Sequence, residues 1–360
     1  MSSEAKPIRE IRINPVVPAE AVLVATARAM RPREAEQPAE RDTRTHVESC
    51  PFCRGNEERT PPTVAAWPED QEWEVRVVEN LFPVLGADDR GGPLVLGLQQ
   101  AIDGYGRHEV MIDHHHHGIA LHEMSATHLA LLLTAYRERM RALYASDPRL
   151  RYVLAFKNFG KAAGASIGHT HSQLIAMPVV PQNVQDEFAH ARSYHARHGH
   201  CIFCSLIDEA LTYEATIYDR DSGEVRRRID VGQYVIERNE RFVAIKPFAS
   251  RFEWEVHILS LAHQADYLDL GDEALPDLAD LLRRTMHRLD AVIGGAQYNY
   301  FLHSLPHCAE CAGGEASYHW HLEICPRTSI PTGFELGSGL FVNTVSPEEA
   351  AARLREVTLD

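Results

Sequence analysis

Short apolar runs recur along the chain, each bounded by glycine, proline or charged residues. Residues 11–13, 22–25, 75–78, 108–112, 152–156, 174–177, 234–238, 254–259 and 297–302 read as strands, because each run is short and rich in β-branched or aromatic residues. Residues 8–34 read as a strand, a turn and a second strand ending in a basic loop. Residues 125–145 follow helical spacing instead, with Leu129, Leu132, Tyr136, Met140 and Leu143 on one stripe. Residues 182–198 read as a polar connecting helix and 273–292 as another helix. Ser346-Pro347-Glu348-Glu349 carries an N-cap, a proline for the first helical position and a capping-box glutamate, so it predicts a last helix.

The order of these elements occurs twice. A Cys-x-x-Cys pair, a strand, a histidine, a helix and a His-x-His follow one another in the first half, and again after Cys201. Cys53 to His117 spans 64 residues and Cys204 to His263 spans 59; His117 to His169 spans 52 and His263 to His319 spans 56. A duplication accounts for this. It predicts an α+β fold built as a tandem of two units, 1–195 and 196–360, each an antiparallel sheet with packed helices.

Composition narrows the functional class. The chain has 360 residues, 44% hydrophobic and 24% charged, which is ordinary for a water-soluble globular protein. The polar first residues are no secretory signal and no run is long enough to span a bilayer, so a cytoplasmic protein without membrane partners is expected. A net charge of -15 argues against nucleic-acid partners.

The seven cysteines and 21 histidines point to metal. Two thiolates and two imidazoles make a closed four-coordinate shell suited to zinc. Cys50, Cys53, His117 and His169 are assigned to a first structural site, and Cys201, Cys204, His263 and His319 to a second. His114, His115 and His116 compete with His117 for its place. A third pair, Cys308 and Cys311, stays unassigned.

The chemistry centres on Gly168-His169-Thr170-His171-Ser172-Gln173, which follows the strand at 152–156 and a small-residue loop at 158–166. If 169–173 is extended, His169, His171 and Gln173 share one face. A neutral imidazole attacks phosphorus and forms a phosphoramidate that passes its group on. The ring nitrogen that does not attack must hold its proton against an acceptor, with a nearby backbone carbonyl the expected one. Gln173 can donate to a phosphoryl oxygen but cannot act as an acid. That suits a leaving group that is itself a phosphate, so transfer is expected over hydrolysis. The loop offers backbone N–H groups to phosphate, and Arg28 and Arg31 are candidate cations.

Phe156-Lys157-Asn158, Gly164-Ala165-Ser166, His169-x-His171-x-Gln173, Arg28-Ala29-Met30-Arg31-Pro32, Cys50-Pro51-Phe52-Cys53 and Gly333-Phe334-Glu335 together resemble the galactose-1-phosphate uridylyltransferase family of the histidine-triad superfamily. The resemblance implies a tandem of histidine-triad folds, zinc, a homodimer, and ping-pong transfer of UMP from a nucleotide-sugar through His171 to a sugar 1-phosphate. It places Asn80, Asn158, Gly164, Ser166 and Gln173 at the nucleotide, Arg28 and Arg31 at phosphates, and Glu335 at the sugar. Thr170 and Ser172 stand where the family usually has proline and glycine, and 335–345 holds no glutamine. Ala165-Ser166 and His171-Ser172-Gln173 also look like ADP-glucose phosphorylases of the same superfamily, whose acceptor is inorganic phosphate. A catalytically silent zinc-stabilised nucleotide-binding module is the reading from another class. Glu323, at the position matching Gln173, marks His321 as non-catalytic.

Overall fold

The computed structural model describes residues 7–30, 41–69, 72–87 and 94–359. Ten strands form one sheet: β1 (Thr63–Trp67), β2 (Val75–Glu79), β3 (Arg107–Ile112), β4 (Tyr152–Phe159), β5 (His171–Met177), β6 (Val235–Arg238), β7 (Phe242–Ile245), β8 (Val256–Ser260), β9 (Tyr298–His303) and β10 (His321–Pro326). Across the sheet the order is β6-β7-β8-β10-β9-β4-β5-β3-β2-β1, and neighbours are antiparallel. From either edge inward the order is therefore the same, β1-β2-β3-β5-β4 on one side and β6-β7-β8-β10-β9 on the other. The sequence predicts a sheet for each half; the structure joins them. Tyr298 lies opposite Phe159 and Leu302 opposite Ala155. Alone, β4 and β9 would each be an open edge with unpaired backbone groups, and pairing them removes both.

The fold is α+β. Helices α1 (Ala126–Ser146) and α4 (Leu275–Ile293) lie on one face of the sheet; α2 (Gln182–His198) and α3 (Ile202–Thr212) follow each other between the halves, and α5 (Gly333–Ser338) and α6 (Pro347–Glu356) come last. The stripe foreseen on α1 is buried, and Ser125 caps it by accepting the His128 N–H at 3.1 Å. Leu129, Leu132 and Tyr136 pack with Leu174 and Ala176 of β5, so alternation turns His171, Gln173 and Ile175 to the opposite face. Ser346 caps α6 through the Glu349 N–H, and Pro347 opens it.

Three local expectations need correcting. Strand β5 starts at His171, so His169 stands before it rather than on it. Asn158 and Phe159 stay in β4, and the loop begins at Gly160. The basic segment after Ala25 is a 3-10 turn, Thr26–Met30, not a loop. The preceding strand, Ala21–Ala25, pairs antiparallel with Arg9–Ile13 and parallel with Phe341–Asn343, which gathers both ends of the chain in one small sheet. Among the described residues no helix is long and apolar enough to cross a membrane.

Candidate functional site

Cys50, Cys53, His117 and His169 converge behind the start of β5, all buried. The Cys50 and Cys53 sulfurs lie 3.6 and 3.5 Å from His169 Nδ1, and Cys53 Sγ lies 3.6 Å from His117 Nδ1. Sulfur at about 2.3 Å and nitrogen at about 2.05 Å from a tetrahedral zinc stand about 3.5 Å apart, so these four atoms fit one zinc ion. His117, and not its three neighbours, is the histidine that joins this group. Outer contacts agree: His169 Nε2 donates to the His114 carbonyl at 2.8 Å, which aims bare Nδ1 at the thiols.

The second group repeats this. Cys204 Sγ lies 3.2 Å from His263 Nδ1 and 3.6 Å from His319 Nδ1, with Cys201 completing the set. His263 Nε2 donates to the Glu315 carbonyl, and His319 Nε2 meets Ser260 Oγ. Cys201 caps a helix here, whereas Cys50 sits in a turn. Cys308 and Cys311 are joined as a disulfide.

His169 has a second task. Its carbonyl lies 2.7 Å from His171 Nδ1. A carbonyl only accepts, so Nδ1 carries the proton and Nε2 is left with a free lone pair. This is the backbone partner the sequence called for. Burial, helped by the Lys157 charge and opposed by the carbonyl, holds the His171 imidazole below its ordinary value, so the ring stays neutral. The Phe52 ring, from between the first two cysteines, packs edge-on at 5.4 Å.

Beneath β5 lies a buried polar chain. Lys157 Nζ donates to Asp113 Oδ2 at 2.5 Å, to Thr170 Oγ1 at 2.8 Å and to the His171 carbonyl at 3.0 Å. Both Lys157 and Asp113 are fully buried. Ser172 Oγ donates to the same carboxylate and contacts Tyr136 Oη, which meets Tyr300 Oη. Thr170 and Ser172 are therefore hydrogen-bonded parts of this polar network.

Gln173 is positioned by His108, which the sequence reading passed over as an ordinary strand residue. The Val84 N–H donates to His108 Nδ1, so Nε2 holds the proton and donates to Gln173 Oε1 at 2.8 Å. The Gln173 amide N–H₂ is then left to donate elsewhere. Asn80 lies next to them, its Oδ1 accepting the Phe82 N–H and its Nδ2 3.1 Å from His108 Nε2, a donor beside a donor and not a hydrogen bond. Asn158 lies on the seam between halves, accepting from Asn299 Nδ2, which also donates to the Ala163 carbonyl. Gln297 Oε1 accepts the Ala162 N–H, and a side chain at Gly160 (φ +86) would collide with Gln297. The second half thus holds the loop bearing Gly164 and exposed Ser166. Asn158, Phe156, Asn299, Phe301 and Arg327 line a groove of about 230 Å³ on this face. Gln297, Asn299 and His108 had no motif to reveal them.

Arg28 and Glu335 are brought together elsewhere. Glu335 accepts from Thr332 N and Oγ1, and the Arg28 charge helps hold it low. Arg31 lies outside the described residues.

Residues 2–181 match the N-terminal domain of galactose-1-phosphate uridyl transferase. The chain belongs to that family. It is 31% identical to the ADP-glucose phosphorylase of Arabidopsis thaliana over 94% of this chain and 90% of that one. It is 26% identical to the galactose-1-phosphate uridylyltransferase of Thermotoga maritima, over 98% and 99%. A crystal structure of the Arabidopsis phosphorylase with bound ADP-glucose superposes with a TM-score of 0.80 at 30% identity, covering 98% of this chain and all of that one. The family makes this an enzyme of nucleotidyl transfer.

Within the family fold the two halves are not equivalent. His321 also bonds its Nδ1 to the carbonyl two residues earlier. Its Nε2, however, faces Glu323 Oε1 at 3.4 Å and Glu187 Oε2 at 3.8 Å. Burial opposes its charge, but the Glu323 hydrogen bond and both carboxylates outweigh that and lift it to about 9. A protonated ring boxed by carboxylates has no lone pair to offer. Phe203 packs against it at 5.1 Å with the rings tilted by 31°, where Phe52 meets His171 edge-on, and the adjoining cavity measures about 140 Å³.

Two outcomes follow from this geometry. Stripping the metal, or His169→Ala, is expected to lower the thermal midpoint and His171 labelling by nucleotide together; a folded, metal-free protein that labels at the wild-type rate would contradict this. Because the His171 ring is held below about 6.5, the value of free imidazole, single-turnover labelling should stay flat as pH falls through 6.5 and drop only at lower pH. Half-loss of the rate at about pH 6.5 would contradict the shift.

Proposed function

We propose that this protein is an ADP-sugar phosphorylase working through a covalent adenylyl-His171. The observation that carries transfer is the His171 ring itself, with Nδ1–H on the His169 carbonyl and Nε2 free beside Gln173. In the first step Nε2 attacks the α-phosphorus, the P–N bond forms, and the bond to the sugar 1-phosphate breaks. That phosphate leaves as a stable anion, so no acid is required. The Gln173 amide donates to a non-bridging oxygen, where charge builds up in the transition state. In the second step a phosphate oxygen attacks the same phosphorus, breaks P–N, and restores the neutral ring. Nδ1 keeps its proton throughout.

The base is proposed from similarity. Motifs alone put uridylyl transfer to a hexose 1-phosphate first. Likeness over nearly the whole chain to a phosphorylase, at 31% against 26% for a uridylyltransferase, supports the adenylyl reading instead. Ala165-Ser166 and His171-Ser172-Gln173 look like the phosphorylases, and Thr170 and the missing glutamine after Glu335 depart from the uridylyltransferase pattern. Uridylyl transfer is the second reading, favoured by the match of residues 2–181.

Zinc is proposed for both Cys-His groups, where four protein ligands supply structural order. Units 1–195 and 196–360 are proposed as the two copies of the repeat. A homodimer is proposed as well: Ile330, Phe334 and Leu336 around Glu335 are exposed apolar residues with which a second chain could complete the sugar end.

The test is intact-protein mass after incubation with ADP-glucose or UDP-glucose, for wild type and His171→Ala. An AMP adduct on wild type alone, discharged as ADP by inorganic phosphate, is expected. A UMP adduct would move the assignment to uridylyl transfer, and an adduct on His171→Ala would remove His171 as the nucleophile.

A further inference from the structure

The run His114-His115-His116 is only partly used by the zinc group, which takes His117 and borrows the His114 carbonyl. Its three rings do not disperse into solvent. They gather with His128 from the first turn of α1 and with Glu74, which precedes β2. The His114 ring centre lies 4.2 Å from that of His128, 4.4 Å from that of His115 and 4.9 Å from that of His116. His114 and His128 are buried, while His115 and His116 are half-buried.

The hydrogen bonding of this cluster is incomplete in a specific way. His128 Nε2 lies 2.6 Å from the Asp113 carbonyl, so Nε2 carries the proton and Nδ1 of the neutral ring is a bare lone pair. That lone pair faces Glu74 Oε2 at 3.7 Å, an acceptor facing an acceptor. His115 Nδ1 reaches the same oxygen at 2.7 Å. Arg54 contacts the other oxygen, Oε1, at 3.4 Å, which leaves Oε2 to the histidines. Two ligand atoms on one divalent ion at about 2.1 Å stand about 3.0–3.4 Å apart. The separations of 2.7 and 3.7 Å bracket that span within a few tenths of an ångström.

We propose that Glu74, His115 and His128, with His114 beside them, form a third metal site, distinct from the two Cys-His groups. Imidazole nitrogens with one carboxylate and no sulfur select a borderline first-row divalent cation such as Ni²⁺ or Zn²⁺. The site is pre-organised, since Thr170 N donates to the His117 carbonyl, His117 N to the Thr45 carbonyl, and the His169 ring to the His114 carbonyl. It opens to solvent through His115 and His116, so it exchanges its ion freely, while the closed four-ligand Cys-His groups keep theirs through two thiolates each.

The test uses full-length protein that carries its zinc and has lost any affinity tag. Equilibrium dialysis against Ni²⁺ is followed by metal counting. One nickel per chain above the retained zinc is expected for wild type. Glu74→Gln and His115→Ala should each weaken it by about tenfold or more with zinc content unchanged. His198→Ala, on the exposed end of α2, should bind nickel as wild type does. Absence of nickel on wild type at about 100 μM, well above the affinity of a built site, would overturn the proposal. So would wild-type binding by both cluster variants, or its loss in His198→Ala. His115 is only half-buried, so its truncation should leave the fold intact and the test stands if Glu74→Gln misfolds.

Discussion

One residue joins the structural and chemical halves of this site. The His169 ring is turned into the Cys-His group by the hydrogen bond from its Nε2 to the His114 carbonyl, and its own carbonyl fixes the proton on His171. The side chain answers to the candidate metal group and the main chain to the His171 ring. A shift of the peptide by an ångström would weaken the contact at His171 Nδ1 and let the ring exchange tautomers, losing the free Nε2. Lys157 holds the same stretch from below, through the His171 carbonyl and Thr170. The stretch carrying the proposed nucleophile is thus clamped from both sides, while among the described residues no hydrogen bond ties His171 Nε2.

The duplicated fold divides the labour. The second half keeps the Cys-His group, an aromatic ring beside the histidine and the Nδ1–carbonyl bond, but surrounds His321 Nε2 with Glu187 and Glu323. Its reward to the first half is mechanical. Strand β9 closes the open edge of β4, and Gln297 and Asn299 hold the loop that follows β4. One site is assembled from both copies of the repeat.

Much of this was legible in the residues. The Cys-x-x-Cys pairs with matching histidines named both candidate metal groups, because ligand chemistry demands particular residue types at recurring spacings. Helix α1 followed from its apolar period, and the likeness of the halves from the order of motifs. What escaped has a common cause. His108 orients Gln173 as a diagonal neighbour across two strands, and Asn299 reaches Asn158 from a strand 141 positions away. Such pairs depend on register, which no local pattern specifies. Burial hid Lys157 and Asp113 as well: the Phe-Lys-Asn motif says nothing of where Lys157 points, and it is wholly enclosed against Asp113. The choice of His117 within a run of four histidines likewise rests on the backbone path alone.

The central claim is that His171 is held as the Nδ1–H tautomer by the His169 carbonyl. Long-range proton–nitrogen NMR on histidine-labelled protein tests it directly, with the His171 resonances assigned by their loss in His171→Gln. The account predicts a protonated Nδ1 and an unprotonated Nε2 near neutral pH in the resting enzyme. A proton on Nε2, or rapid exchange between the two nitrogens, would contradict it.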